Sequence, residues 1–126
     1  MPVDILLLDD DAIQGATRKA ILDRVGHHTV VLAHGQEALQ FLQTPAGYPI
    51  QMVVTDHLMP GMNGPDFVKA LRRAGYTFPV LVLSGYPDAE QEYKTLDIVF
   101  RVKPLPPEQL IALVQYLVDS SNRRTA

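Results

Sequence analysis

Three acids in succession, Asp9, Asp10 and Asp11, end the apolar run that closes at Leu8. Like charges packed this closely repel, so the segment makes chemical sense only where something positive offsets them. Other polar residues hold the same place behind other apolar runs. Thr55 and Asp56 follow the third run, Ser84 and Gly85 the fourth, and Lys103 with Pro104 the fifth. Carboxylate oxygens suit a hard cation such as Mg²⁺, which keeps some waters and takes one or two protein carboxylates together with phosphate oxygens. An aspartate can also carry a phosphoryl group as a nucleophile, which makes Asp56 a candidate. Ser84 could then donate a hydrogen bond to that group, and Lys103 could neutralise one of its oxygens as a point charge.

For these side chains to meet, the runs must be strands whose carboxyl ends share one edge. The runs span 3–8, 29–33, 50–55, 80–83 and 98–102, and most are rich in β-branched residues and Leu. Several lack polar alternation, as expected of parallel strands covered on both faces. Helix-period segments lie between them. Ile13, Thr17, Ala20, Ile21 and Val25 share one face of a first helix, and Ala38, Leu39 and Leu42 share a face of a second. Phe67, Val68 and Leu71 mark a third, and Leu110, Leu113, Val114 and Leu117 mark the last. Gly26 and Gly75 read as helix stops, Pro65 as a first-turn residue, and Pro106 and Pro107 as the introduction to the last helix. The crossover after the fourth strand, SGYPDAEQEYKTLD, has few apolar positions and is interrupted by Pro87. It predicts a short helix at most, or an irregular loop. The result is a repeated β-α unit and an α/β fold with a parallel sheet. In such sheets, ligands bind beyond the carboxyl ends of the strands at the point where strand order reverses.

Composition narrows the function classes. The chain has 126 residues, 47% of them hydrophobic, enough for one domain with a real core. Eleven basic against fourteen acidic residues give a net charge of −3, which argues against nucleic-acid binding. There is no cysteine, so disulfides and thiolate metal sites are excluded. No apolar run approaches the ~20 residues that span a bilayer. Acids fall where the apolar region of a signal peptide would lie, so a cytoplasmic domain is expected. The polar segment 120–126 is expected to fray as a flexible tail after a domain of residues 1–119. No output domain is expected after the last helix, so the chain reads as either a stand-alone domain or a piece of a longer protein.

The pieces LLLDDDA, VVTDHLMPGMNG, VLVLSG and FRVKP, in that order and over nearly the whole chain, resemble the receiver domain of two-component response regulators. VVTDHLMPGMNG is the most specific of them. The resemblance implies the flavodoxin-like, CheY-like five-stranded sheet of order 2-1-3-4-5 with helices on both faces; the strand-order rule for that fold is itself illustrated with a receiver. It makes Asp56 the phosphoacceptor and Asp9 and Asp10 the acidic pair, Asp10 binding Mg²⁺ directly and Asp9 mostly through water. The backbone carbonyl of Leu58 completes the metal ligands. Ser84 takes the place of the switch hydroxyl, Phe100 that of the switch aromatic, and Lys103 that of the family lysine, with a cis bond to Pro104. A histidine kinase or histidine phosphotransfer protein is the implied donor. Ser84 and Lys103 stand 19 positions apart, closer than in typical receivers, and this shortening with its LSGY stretch resembles receivers attached to hybrid sensor kinases.

Other readings are weaker. A haloacid-dehalogenase-type phosphatase needs a second acid two positions after its nucleophile, where this chain has Leu58. A flavodoxin-like cofactor binder needs a phosphate-binding loop after the first strand, where three acids would repel phosphate. A flavodoxin-like interaction module independent of phosphate remains as the alternative. Asp11 reads as a helix N-terminal residue rather than a ligand. The four histidines, His27, His28, His34 and His57, match no zinc spacing and read as exposed, with His57 at the site entrance. Tyr86 either lines that entrance or covers its loop.

Overall fold

Parity along the strands sorts the core. The structure, a computed structural model, describes residues 2–125, and side chains as far as residue 122. The elements are β1 (Asp4–Leu8), α1 (Ala12–Arg24), β2 (His28–Leu32), α2 (Gly35–Leu42), β3 (Ile50–Asp56), α3 (Gly64–Arg73), β4 (Val80–Ser84), a 3-10 segment (Pro87–Tyr93), β5 (Val99–Val102) and α4 (Pro107–Thr125). All five strands pair in parallel in the order β2-β1-β3-β4-β5. Successive side chains point to opposite faces of a sheet. Leu6, Leu8, Val53, Val80 and Val82 therefore pack on one side with Ala38 and Leu42 of α2, Phe67, Val68 and Leu71 of α3, and Tyr93 of the 3-10 segment. Ile5, Leu7, Met52, Val54, Leu81 and Leu83 pack on the other with Leu22 of α1 and Leu110, Val114 and Val118 of α4. Each fully buried aliphatic side chain contributes about 1.5–3 kcal/mol of hydrophobic stabilisation.

Local signals agree with these boundaries. Asp11 caps α1 by accepting from the backbone N–H groups of Ile13 and Gln14, at 2.9 and 3.1 Å. Asn63 caps α3 through Asp66, and Pro65 occupies its first turn. Gly26 and Gly75 follow α1 and α3 with φ of 100° and 93°, a region open mainly to glycine. The weak fourth crossover forms only the 3-10 segment. The polar residues from 120 onward continue α4 as far as Thr125, and Ala126 lies outside the described residues. Among the described residues, no helix is long and apolar enough to cross a membrane.

The expected apolar face of α1 is corrected. Ile13 is 79% exposed and Val25 is also exposed, whereas Gly15 and Leu22 are buried. Gly15 lets the helix approach β2 closely, since a Cβ there would stand 3.0 Å from Val31 Cγ1. The helix turns its Gly15–Arg18–Leu22 side inward: Gly15 packs on β2, Leu22 enters the core, and Arg18 between them reaches acids (below) that an apolar pattern does not record.

Gly64 sits where α3 meets the 3-10 segment. A Cβ on it would run into the Tyr93 hydroxyl and lie 3.1 Å from the His57 carbonyl oxygen. Gly64→Ala should therefore destabilise the chain by about 1–3 kcal/mol through overpacking. Urea unfolding checks this, and an unchanged midpoint would mean that the 3-10 segment yields freely.

Candidate functional site

The same parity places the polar residues. Asp9 continues the Ile5–Leu7 side of β1, Asp56 the Met52–Val54 side of β3, and Lys103 the Val99 side of β5. All three lean toward the face covered by α1. Carboxylate oxygens of Asp9, Asp10 and Asp56 lie within 4.8 Å of one another. Lys103 Nζ is 2.8 Å from Asp56 Oδ1 and 3.4 Å from Gln14 Oε1. The Lys103–Pro104 bond is cis.

Arg18 is the residue that sequence reasoning missed. From α1 its Nη1 reaches Asp9 Oδ2 at 2.6 Å and Asp56 Oδ1 at 3.3 Å, while Nη2 donates to Gln14 Oε1 at 3.3 Å. A signal existed: with Asp11 as cap, Gln14 and Arg18 follow three and seven residues later on one helix face, above the strand ends. Both oxygens of Asp9 have a partner, since its Oδ1 accepts the Asp11 N–H at 2.9 Å. Even so, its pKa rises from 3.8 to about 6. Burial is the largest cause and the hydrogen bond with Asp56 the next; the Asp11 N–H and the Arg18 charge oppose them but do not win.

Ser84 has the parity of Val80 and Val82, away from α1. Its buried hydroxyl accepts the Tyr86 N–H at 2.9 Å and donates to the Tyr86 carbonyl at 3.3 Å. Its carbonyl accepts the Lys103 N–H at 2.7 Å, so the ends of β4 and β5 are tied beside Asp56. Ser84 is thus at the correct edge, but its hydroxyl is bonded to Tyr86. The Leu58 side chain is exposed just past Asp56, and Tyr86 is exposed beyond Ser84. Phe100 is buried, its ring 6.0 Å from that of Tyr93.

Two histidine expectations are corrected. His57 is only 7% exposed: β3 pairing carries on past Asp56, so the next side chain falls on the opposite face. There its Nδ1 meets Tyr93 Oη at 2.6 Å and its Nε2 lies 3.4 Å from Glu92. Burial raises the Tyr93 pKa. His27 is 5% exposed and its Nδ1 accepts the Val3 N–H at 3.1 Å, so burial lowers its pKa and keeps it neutral. His28 and His34 are exposed as expected.

The donor set suits a hard divalent cation: three carboxylates converge, one of them held at a raised pKa beside its neighbour. Comparison with known proteins points the same way. Residues 5–115 match the model of the response regulator receiver domain. The chain is 30% identical over 131 residues to the alkaline phosphatase synthesis transcriptional regulatory protein SphR of Synechococcus elongatus, covering 97% of this chain and 51% of that protein. It is 28% identical over 114 residues to the transcriptional regulatory protein FixJ of Bradyrhizobium diazoefficiens, covering 88% and 54%. The chain spans about half the length of the curated relatives it matches. Among solved structures, the receiver domain of a Francisella response regulator superposes with a TM-score of 0.84 at 26% identity, covering 94% of this chain and 98% of that one. The chemotaxis response regulator CheY4 of Vibrio cholerae gives 0.83 at 29%, covering 93% and 99%.

The raised pKa of Asp9 has a signed consequence. Between 3.8 and about 6, the folded chain keeps a proton that the unfolded chain has released, so stability falls as pH rises through that window. Relative to Asp9→Asn in metal-free buffer, wild type should lose on the order of 3 kcal/mol across it. Urea unfolding of both proteins at stepped pH checks this, and a difference flat in pH would contradict the assignment.

Proposed function

The chain belongs to the receiver-domain family of response regulators, and from that premise we propose that Asp56 is the phosphoacceptor of a two-component phosphorelay. A partner histidine kinase or histidine phosphotransfer protein presents a phosphohistidine. An Asp56 carboxylate oxygen attacks the phosphorus roughly in line. The O–P bond forms as the P–N bond breaks, and the electron pair of that bond returns to the imidazole, which takes up a proton. Lys103 is placed to bond a phosphoryl oxygen, since it already lies 2.8 Å from Asp56 Oδ1. Asp9, Asp10, Asp56 and the Leu58 carbonyl would hold a Mg²⁺ ion, which when bound supplies positive charge to the phosphoryl oxygens. Water later hydrolyses the acyl phosphate. The chain thus works as a switch and turns over no separate metabolite.

The switch step follows from how Ser84 is held. To donate to a phosphoryl group on Asp56, its hydroxyl must give up the bond it donates to the Tyr86 carbonyl. Tyr86 immediately precedes the 3-10 segment, so its release loosens the start of that segment. Phe100 and Tyr93 lie at the other end of the same packing, and Tyr93 is bonded to His57 beside the phosphoacceptor. Two arrangements of this unit, biased by the phosphoryl group, would carry the signal. The observation supporting the whole reading is that Asp9, Asp10, Asp56 and Lys103 converge on one corner of the sheet.

Incubation with acetyl phosphate and Mg²⁺ should add one phosphoryl group by intact mass, and prior chelation of the metal should prevent it. Asp56→Asn should abolish the stable adduct. Lys103→Ala should slow its formation about a hundredfold. No adduct on wild type under any donor would instead favour an interaction module that does not use phosphate.

A further inference from the structure

Arg18 occupies the space that a cation would take between two of the three converging acids. A metal ion bound to carboxylates sits about 2.0–2.1 Å from each oxygen. Arg18 Nη1 lies 2.6 Å from Asp9 Oδ2 and 3.3 Å from Asp56 Oδ1, so the guanidinium stands where an ion shared by these carboxylates, or the water through which Asp9 would hold it, has to sit. The other Asp9 oxygen, Oδ1, already accepts the Asp11 N–H, so both oxygens carry a donor in the metal-free chain. The Arg18 side chain is only 15% exposed, which makes its pairing less screened than a surface ion pair. With Lys103 on Asp56, the corner holds three acids and two cations and keeps one formal negative charge.

There is also somewhere for the arginine to go. A cavity of about 510 Å³ opens beside it, lined by Ile13, Gln14, Thr17, Lys103, Leu105 and Leu110 among others. Gln14 Oε1 already accepts from Nη2 and lines that cavity, so it can keep hold of the guanidinium as it swings out.

We infer that Arg18 is a built-in competitor of the divalent cation, a positioning residue that sets the metal affinity of the receiver by having to leave Asp9 before the ion can bind. The inference rests on the reading that Asp9, Asp10 and Asp56 form a cation site. It leaves the metal-free corner with one formal negative charge instead of three and couples metal binding to a movement on α1. Charge-assisted hydrogen bonds of this kind correspond to roughly 10–100-fold in an equilibrium constant.

Calorimetric titration of the metal-free full chain with Mg²⁺ tests it. Arg18→Ala should bind Mg²⁺ about 10–100-fold more tightly than wild type, and Arg18→Lys, which keeps the charge, should bind more weakly than Arg18→Ala. An Arg18→Ala affinity within twofold of wild type, or weaker, overturns the inference while leaving the cation site standing. No binding by wild type or by either variant overturns the site and the inference together. Should Arg18→Ala fail to fold, the wild-type Arg18 side-chain NMR signal decides. It should move with the same midpoint as the calorimetric titration, and a signal unmoved at saturating Mg²⁺ overturns the inference.

Discussion

Everything at the working end of this protein depends on three carboxylates sharing one corner of a low-dielectric sheet edge. Solvent screens the exposed Asp10 but does little for the repulsion between Asp9 and Asp56, which are buried. It is relieved by cations brought in from two directions: Lys103 from the end of β5 and Arg18 from the inner side of α1. The cations do not fully offset the cost of the site, and Asp9 keeps a raised proton affinity, chiefly from its burial and then from its hydrogen bond with Asp56. A site in this condition is prepared for a divalent ion, which offers more charge than a guanidinium in less space. The same excess of negative charge explains why an arginine can be drawn into a position that the helix would otherwise give to an apolar residue.

Strand parity distributes the remaining functions. Asp9, Asp56 and Lys103 fall on the α1 side of the sheet, while Thr55, His57 and Ser84 fall on the side of α2, α3 and the 3-10 segment. One face thus holds the charged chemistry and the other the packing that can respond to it. His57 joins them, because it is the residue next to Asp56 and its ring is bonded to Tyr93. Tyr93 in turn packs on Phe100 and blocks any side chain at Gly64. The short 3-10 segment, in place of a full helix, leaves this aromatic pair as the main buried anchor of that crossover, with Ala89 beside it.

Much of this was legible in the residues alone. The strand order came from the resemblance to receivers, whereas all five strands, their parallel pairing, the helix stops at Gly26 and Gly75, the Asp11 cap and the weak crossover each have a local cause, and local causes are visible in sequence. So is the convergence of Asp9, Asp10, Asp56 and Lys103, because parallel strands bring all their carboxyl ends to one edge. What escaped was set by partners far along the chain. The apolar stripe drawn through Ile13 and Val25 fails because the inward side of α1 is made by Gly15, Leu22 and Arg18, the last bonded to acids nine and thirty-eight positions away. His57 looked exposed because Asp56 had been taken as the end of the strand; continuing the alternation by one residue would have buried it. His27 is buried by a bond to Val3, twenty-four positions away, that nothing in its neighbourhood announces.

On the proposed function, this charged corner holds a phosphoryl group on Asp56 and on no other aspartate. Borohydride trapping after phosphorylation, followed by peptide mass mapping, converts an aspartyl phosphate to homoserine and so marks the residue that carried it. Homoserine at position 56, with Asp9, Asp10 and Asp11 unchanged, is the predicted result. Homoserine at one of those three acids, or none anywhere on protein shown to carry the phosphoryl group, would contradict it.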